Sequence, residues 1–149
     1  MEHADRLPLT VERIKELWSN TYNTQGKPDW SHLYPYYDEH IRFQDSIQGI
    51  EGKEAFIAMC DRLARRCRQL DMELHTIVRD GEKAVLQWTM TMRFRRFPSA
   101  PVEGCSVLTI NTEELIVSQR DYYDLWGDIY NRIPLYNRLY RLFMRTFFG

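Results

Sequence analysis

The sequence predicts an α+β domain, with a strongly curved antiparallel sheet wrapped against one long helix to form a cone. Three observations carry that prediction. Apolar residues recur at helical spacing in 10–22, in Lys53–Leu70 and again after Pro134. Four segments with alternating patterns follow one another between Met72 and Tyr123, divided by short polar turns. Helices set apart from a run of strands imply an antiparallel sheet rather than alternating β and α units. At 149 residues, 44% hydrophobic and 28% charged, the chain is one domain over 1–149 with an ordinary globular core.

Taken in order, Thr10 is placed to cap the first helix, with Glu12 and Glu16 near its positive end. Val11, Ile14, Leu17, Trp18 and Tyr22 form its stripe. Asn23–Pro28 reads as a loop, and Asp29 can cap a short second helix through Trp30, Leu33, Tyr34 and Tyr37. Ile41–Asp45 reads as a short strand with Ile41, Phe43 and Asp45 on one face, and Ser46–Gly52 as a loop. Lys53–Leu70 reads as the long helix. Its stripe is Phe56, Met59, Cys60, Leu63, Cys67 and Leu70; its wet side is Arg62, Arg65, Arg66 and Arg68. Strands are expected over Met72–Val78 and Lys83–Arg95, joined by an Asp80-Gly81 turn. Two more are expected over Val102–Ile110, after a turn at Phe97–Pro101, and over Leu115–Tyr123, after a turn at Asn111–Glu114. Gly104, Ser106, Leu108 and Ile110 share a face of the first of these. Pro134 can open the last helix.

The bulk numbers exclude several classes. A formal net charge of −1 gives no global field for nucleic acid. The arginines of the long helix read as a solvated face, since no aromatics interleave with them. His32, His40 and His75 have no metal-ligand spacing, and no phosphate-cradling glycine loop or nucleophile elbow is present. No metal and no cofactor are expected. Three cysteines, Cys60, Cys67 and Cys105, make no even framework; the first two, on one helix, would lie about 10 Å apart along its axis. Reduced thiols, a polar start at Met1–Asp5 and the lack of a spanning segment point to a cytoplasmic protein. Aromatics reach 13%, a surplus suited to a core or an apolar cavity.

The last strand sets the functional question. Along Leu115–Tyr123, alternation puts Val117, Gln119, Asp121 and Tyr123 on one face. A carboxylate on an apolar inner face is costly unless it is paired or used. As a general acid or base, Asp121 would have its pKa raised by desolvation; as a structural group it would be hydrogen-bonded to a Tyr or a backbone amide. Asp45, at a strand end, is either a second working acid or a cap for the following loop. Tyr22, Tyr34, Tyr37 and Tyr123 are candidate phenol donors, with packing the favoured reading of each. Trp88, Met90 and Met92 are core or cavity wall.

Two stretches resemble a known family. Tyr36-Tyr37-Asp38-Glu39-His40-Ile41-Arg42-Phe43-Gln44-Asp45, followed by Gly49-Ile50-Glu51-Gly52-Lys53-Glu54-Ala55-Phe56, resembles one motif of nuclear transport factor 2-like, SnoaL-like domains. Arg120-Asp121-Tyr122-Tyr123-Asp124 resembles their last-strand motif. The resemblance runs from about Val11 to Trp126 and implies the cone fold and a cavity for a hydrophobic small molecule. That superfamily holds isomerases, epoxide hydrolases, cyclases and non-catalytic binders, so fold alone does not give the reaction. Asp45 matches the general base of ketosteroid isomerases, but the Asp of their oxyanion pair is here Ser106, and their first-helix Tyr position falls near Trp18 or Ser19, with Tyr22 able to serve only if the loop shifts. Asp121 matches a water-activating Asp of limonene epoxide hydrolases, but their partner Arg and second Asp are here Trp88 and Met90, and their water-holding Tyr and Asn are Phe43 and Asp45. What survives is two acids in an aromatic, Met-rich chamber.

The expectation is therefore cofactor-free acid–base chemistry by Asp121 and Asp45 on a hydrophobic small molecule: isomerisation, hydration or dehydration, or ring opening or closure. Trp18, Tyr22, Tyr37, Phe43, Trp88, Met90, Ser106, Leu108, Gln119 and Tyr123 are the expected wall. The alternatives are a non-catalytic carrier or sensor, and a protein-interaction module. Residues 129–149 form an amphipathic helical extension, with Tyr136, Tyr140, Phe143 and Phe147 in a stripe and Arg138, Arg141 and Arg145 beside it. Packing on the domain or on a partner is the favoured reading of that helix; contact with a membrane surface and a lid over the cavity are the others. A homodimer through the sheet's outer face is expected.

Overall fold

The structure, a computed structural model, describes residues 7–22, 27–94 and 99–149, apart from the side chains of residues 21, 22 and 131. Residues 23–26 of the expected loop at 23–28 and residues 97–98 of the expected turn at 97–101 fall outside these residues, as does the side chain of Tyr22. Thr10 Oγ1 accepts from the Arg13 amide, and helix α1 (Val11–Tyr22) follows, burying Ile14, Leu17 and Trp18. The expected second helix is a 3-10 helix, Ser31–Tyr36, with Pro35 inside it; Tyr37 already belongs to strand β1 (Tyr37–Gln44). Part of the expected loop 46–52 is a short strand, β2 (Gly49–Glu51), paired antiparallel with β1. Helix α2 (Lys53–Arg66) begins after Gly52, whose φ of 89° suits glycine.

The long helix ends four residues before its expected limit. Strand β3 starts at Cys67 and runs to Asp80. Cys67 and Leu70 fit the helical spacing of Cys60 and Leu63, but Leu70 and Met72 also fit period two, and pairing with β4 (Lys83–Phe94) decides the matter. In the strand, Cys67, Leu70 and Met72 are all buried while the backbone is bonded to β4. Gly81, at φ 54°, turns β3 into β4.

Strands β5 (Pro101–Ile110) and β6 (Ile116–Tyr123) complete a curved, unclosed sheet of order β2-β1-β6-β5-β4-β3, antiparallel except between β1 and β6. A bulge at Val117 corrects the expected faces of β6. Thr109 pairs with Ser118 but Ile110 with Ile116, so β6 takes two residues against one. Ile116 and Gln119, an odd number of positions apart, are consequently both buried. Glu114, at φ 57° in the preceding turn, accepts from the Leu9 amide and both Arg79 Nη atoms at 2.8–2.9 Å. This clamp ties the entry to α1 onto β3.

The strands divide along their length. Ala84 and Leu86 on β4, Leu108 and Ile110 on β5, and Ile116 on β6 are fully buried beside Leu9, Ile14 and Ile41, an aliphatic core. Toward the other end come Trp88, Met90 and Met92, then Val102 and Ser106, then Gln119, Asp121 and Tyr123, which enclose a hollow. After β6, Asp124 caps a short helix α3 (Leu125–Asp128) through the amides of Trp126 and Gly127. A 3-10 turn (Tyr130–Arg132) and helix α4 (Pro134–Phe148) follow. None of the described residues of α4 is buried. Its Tyr136 and Tyr140 stack on Trp126, but the stripe does not pack into the domain core.

Candidate functional site

The hollow is a cavity of about 150 Å³ between α1, the 3-10 helix, α2 and the far ends of β4, β5 and β6. Alternation along each strand turns Trp88 and Met90, Ser106, and Gln119, Asp121 and Tyr123 toward it. Strand β1 supplies Tyr37 and Phe43, and Asp45 lies just past its end; α1 supplies Trp18. Among the residues read from sequence, Leu108 is not in the wall. It lies one alternation deeper than Ser106, in the aliphatic core, fully buried.

Other wall residues lie outside the set expected from the sequence. Trp30 and Leu33 come from the 3-10 helix, and Phe56, Met59, Cys60 and Leu63 from α2. The α2 stripe is plain in the sequence, but a stripe facing a hollow has the same spacing as one facing a filled core. Ile47, Leu125 and Ile129 also line the cavity; Ile47 is 68% exposed, so the opening lies on its side.

Asp121 is the centre of the polar groups. Ser106 stands directly opposite it across the β5–β6 ladder, and its hydroxyl hydrogen-bonds the carboxylate. The Trp88 indole Nε1–H donates to Ser106 Oγ at 3.0 Å, leaving the hydroxyl proton for Asp121. From the other side Gln119 Nε2 donates to Asp121 Oδ1 at 3.0 Å and Oδ2 at 3.3 Å. Tyr37 OH donates to Gln119 Oε1 at 2.6 Å, which fixes the amide orientation. Ser106 and Gln119, 3% and 6% exposed, are the buried polar side chains among the described residues, and both are directed at this one carboxyl.

Two influences oppose each other there. Burial pushes the Asp121 pKa up to about 6, with a smaller push from the Asp45 charge; the Ser106 and Gln119 donors hold it down. Asp45 is placed differently. Its Oδ1 accepts from the Ile47 and Gln48 amides at 2.8 Å, so it caps the loop after β1, and its Oδ2 accepts from Tyr123 OH at 3.1 Å. Burial, with Asp45 nearby, pushes Tyr123 up to about 12. Cys60 is also pushed up to about 12, mainly by burial, so its thiol stays protonated and is a poor nucleophile at neutral pH. Among the described residues no group of three or more His, Cys, Asp or Glu converges as a metal site would.

The arrangement can hold a small apolar molecule against one carboxyl able to take and return a proton near neutral pH. Comparison with known proteins supports the same architecture. The profile of the SnoaL-like domain family matches residues 18–119. No curated protein matches by sequence. An LEH-like epoxide hydrolase from M. tuberculosis is similar in structure, with TM-score 0.63 and 17% identity over 76% of this chain and 82% of that one. A candidate SnoaL-like polyketide cyclase from Jannaschia sp. CCS1 gives TM-score 0.64 and 20% identity over 83% and 93%. A protein with a ketosteroid isomerase-like fold from Catenulispora acidiphila, solved with trimethylamine, gives 0.63 and 16% over 78% and 88%. At identities this low the structural likeness establishes the shared fold alone.

Proposed function

The chain belongs to the SnoaL-like domain family, and from that premise we propose that it binds a small hydrophobic molecule in the cavity and acts on it by cofactor-free acid–base chemistry through Asp121. The observation that carries the proposal is the convergence of Ser106 and Gln119, the buried polar side chains among the described residues, on a carboxyl whose pKa is pushed up to about 6, inside an aromatic and sulfur-lined hollow. At neutral pH Asp121 is mostly ionised and acts as the base, and its conjugate acid readily gives the proton back. In an isomerisation it removes a proton from one substrate carbon and returns it to another as the double bond shifts, with no net gain of protons or electrons. Hydration, dehydration or epoxide opening would use the same carboxyl toward water or a hydroxyl.

The hollow bounds the substrate class. A cavity of about 150 Å³ holds a molecule of roughly benzene size. Met59, Met72, Met90 and Met92 in its wall can repack, so a somewhat larger monocyclic compound fits better than a rigid polycyclic one. Asp45 serves as a supporting charge that caps its loop and positions Tyr123.

The second reading is a non-catalytic carrier. It is favoured by Gln119 and Ser106 already occupying the Asp121 oxygens, as they would around a polar anchor. Native mass spectrometry of gently purified protein identifies any apolar molecule held in the cavity, and that compound and its close relatives are then incubated with wild type and Asp121→Asn. Conversion by wild type with retained binding and lost conversion in Asp121→Asn is expected. Binding without conversion by either protein favours the carrier; conversion by Asp121→Asn at the wild-type rate overturns the role of Asp121.

A further inference from the structure

We propose that α4 is a docking helix for the surface of an anionic lipid bilayer, and that it holds one wall of the cavity toward that surface. Leu135, Leu139, Leu142, Phe143 and Phe147 are 53–74% exposed. At 100° per residue these five fall within one broad arc of the helix, and Arg138, Arg141 and Arg145 cluster beside it. Among the described residues none of those three arginines forms an ion pair with an acidic group.

Charge favours lipid as the occupant. Residues 129–149 contain four arginines and no acidic residue, so the remainder of a chain of net charge −1 carries −5. An anionic surface attracts the tail and repels the body, which orients the molecule. Pairing α4 with α4 of a second copy would bring arginines together without an acid on either helix to offset them. The helix has 15 residues, about 22 Å, too short to cross about 30 Å of hydrocarbon, so it lies in the interface. Trp126, Tyr130, Tyr136 and Tyr140 stack at its root, and such amphipathic rings favour the headgroup level.

The same root reaches the cavity. Leu125 and Ile129, on either side of Trp126, line it. A helix resting on lipid therefore sets the cavity wall beside the phase in which apolar molecules concentrate.

The test is sedimentation of the full chain with phosphatidylcholine vesicles, with and without phosphatidylglycerol. Wild type is expected to bind the anionic vesicles, more weakly at high salt, and to bind the neutral ones poorly. Arg138→Glu/Arg141→Glu/Arg145→Glu should weaken binding by at least roughly 100-fold, and Leu139→Ser/Phe143→Ser should also weaken it. These side chains are not buried, so unchanged circular dichroism and melting temperature would show an intact fold. No binding to anionic vesicles, or equal binding by all three proteins, overturns the proposal. So does a self-associated wild type that Leu139→Ser/Phe143→Ser renders monomeric while vesicles capture neither.

Discussion

Gln119 Nε2 sits 3.0 Å from Asp121 Oδ1, two residues along the same strand, and donates to it while Gln119 Oε1 receives the Tyr37 phenol. The amide cannot turn over without losing both bonds. Its donor, with the Ser106 hydroxyl, opposes the desolvation that pushes Asp121 up to about 6. Gln119→Leu and Ser106→Ala should each raise that pKa further, by about 1–2 units for a hydrogen bond to a charged group. Carbon-13 NMR titration of the Asp121 carboxyl reads the shift; a fall in either variant would contradict the assigned direction of these bonds.

Asp121 also makes a signed statement about stability. Its ordinary pKa of 3.8 becomes about 6 in the folded chain, so between these values the folded state binds more protons than the unfolded one. Stability from this group is full below about pH 4 and falls as pH rises through 6. Asp121→Asn cannot ionise. The stability of Asp121→Asn relative to wild type should therefore grow from pH 4 to pH 7.5 by up to about 3 kcal/mol. Urea unfolding of both proteins across that range tests it; a difference that shrinks with pH would mean the carboxyl is stabilised as an anion.

The Arg79–Glu114 clamp has the opposite sign. The Arg79 hydrogen bonds hold the Glu114 pKa below its ordinary 4.5, so the clamp's contribution is present above that value and is lost as pH falls through the folded pKa. Arg79→Ala should destabilise by about 2 kcal/mol at pH 7. The gap from wild type should narrow in acid, as Glu114 protonates. Denaturant midpoints at pH 7 and pH 3 measure both effects.

Gly104 holds open the space that the Trp88 ring occupies. A Cβ there would lie 2.6 Å from Trp88 Cη2 and 2.6 Å from the Tyr122 carbonyl oxygen, so neither the ring nor the backbone alone can relieve the clash. Gly104→Ala should cost about 1–3 kcal/mol and push Trp88 into the cavity. Gly49→Ala, whose Cβ would meet nothing within 4 Å, is the control and should be nearly neutral. Thermal melts and tryptophan fluorescence separate the two.

How far the sequence reaches varies from element to element. Alternation in 83–95, 102–110 and 115–123, with the glycine of the β3–β4 turn, placed three of the strands, because a half-buried strand has to alternate. The end of α2 was not legible: Leu70 fits the helical spacing of Leu63 and also period two with Met72, and only pairing with β4 separates them. The face of Val117 was not legible either, because a bulge arises from the register of the neighbouring strand and leaves no mark in the strand's own pattern.

By itself, the sequence determined the cone-forming order of helices and strands and the presence of an acid on the inner side of the last strand. Periodicity and the cost of burying charge are local properties, written residue by residue. Only the tertiary structure decided that Ser106 and Gln119 converge on Asp121, that Leu108 belongs to a filled core while Ser106 faces a hollow, and that α4 stands with its leucines and phenylalanines uncovered. Those outcomes depend on which strands become neighbours and how much space their side chains leave, and no single stretch of chain carries that information.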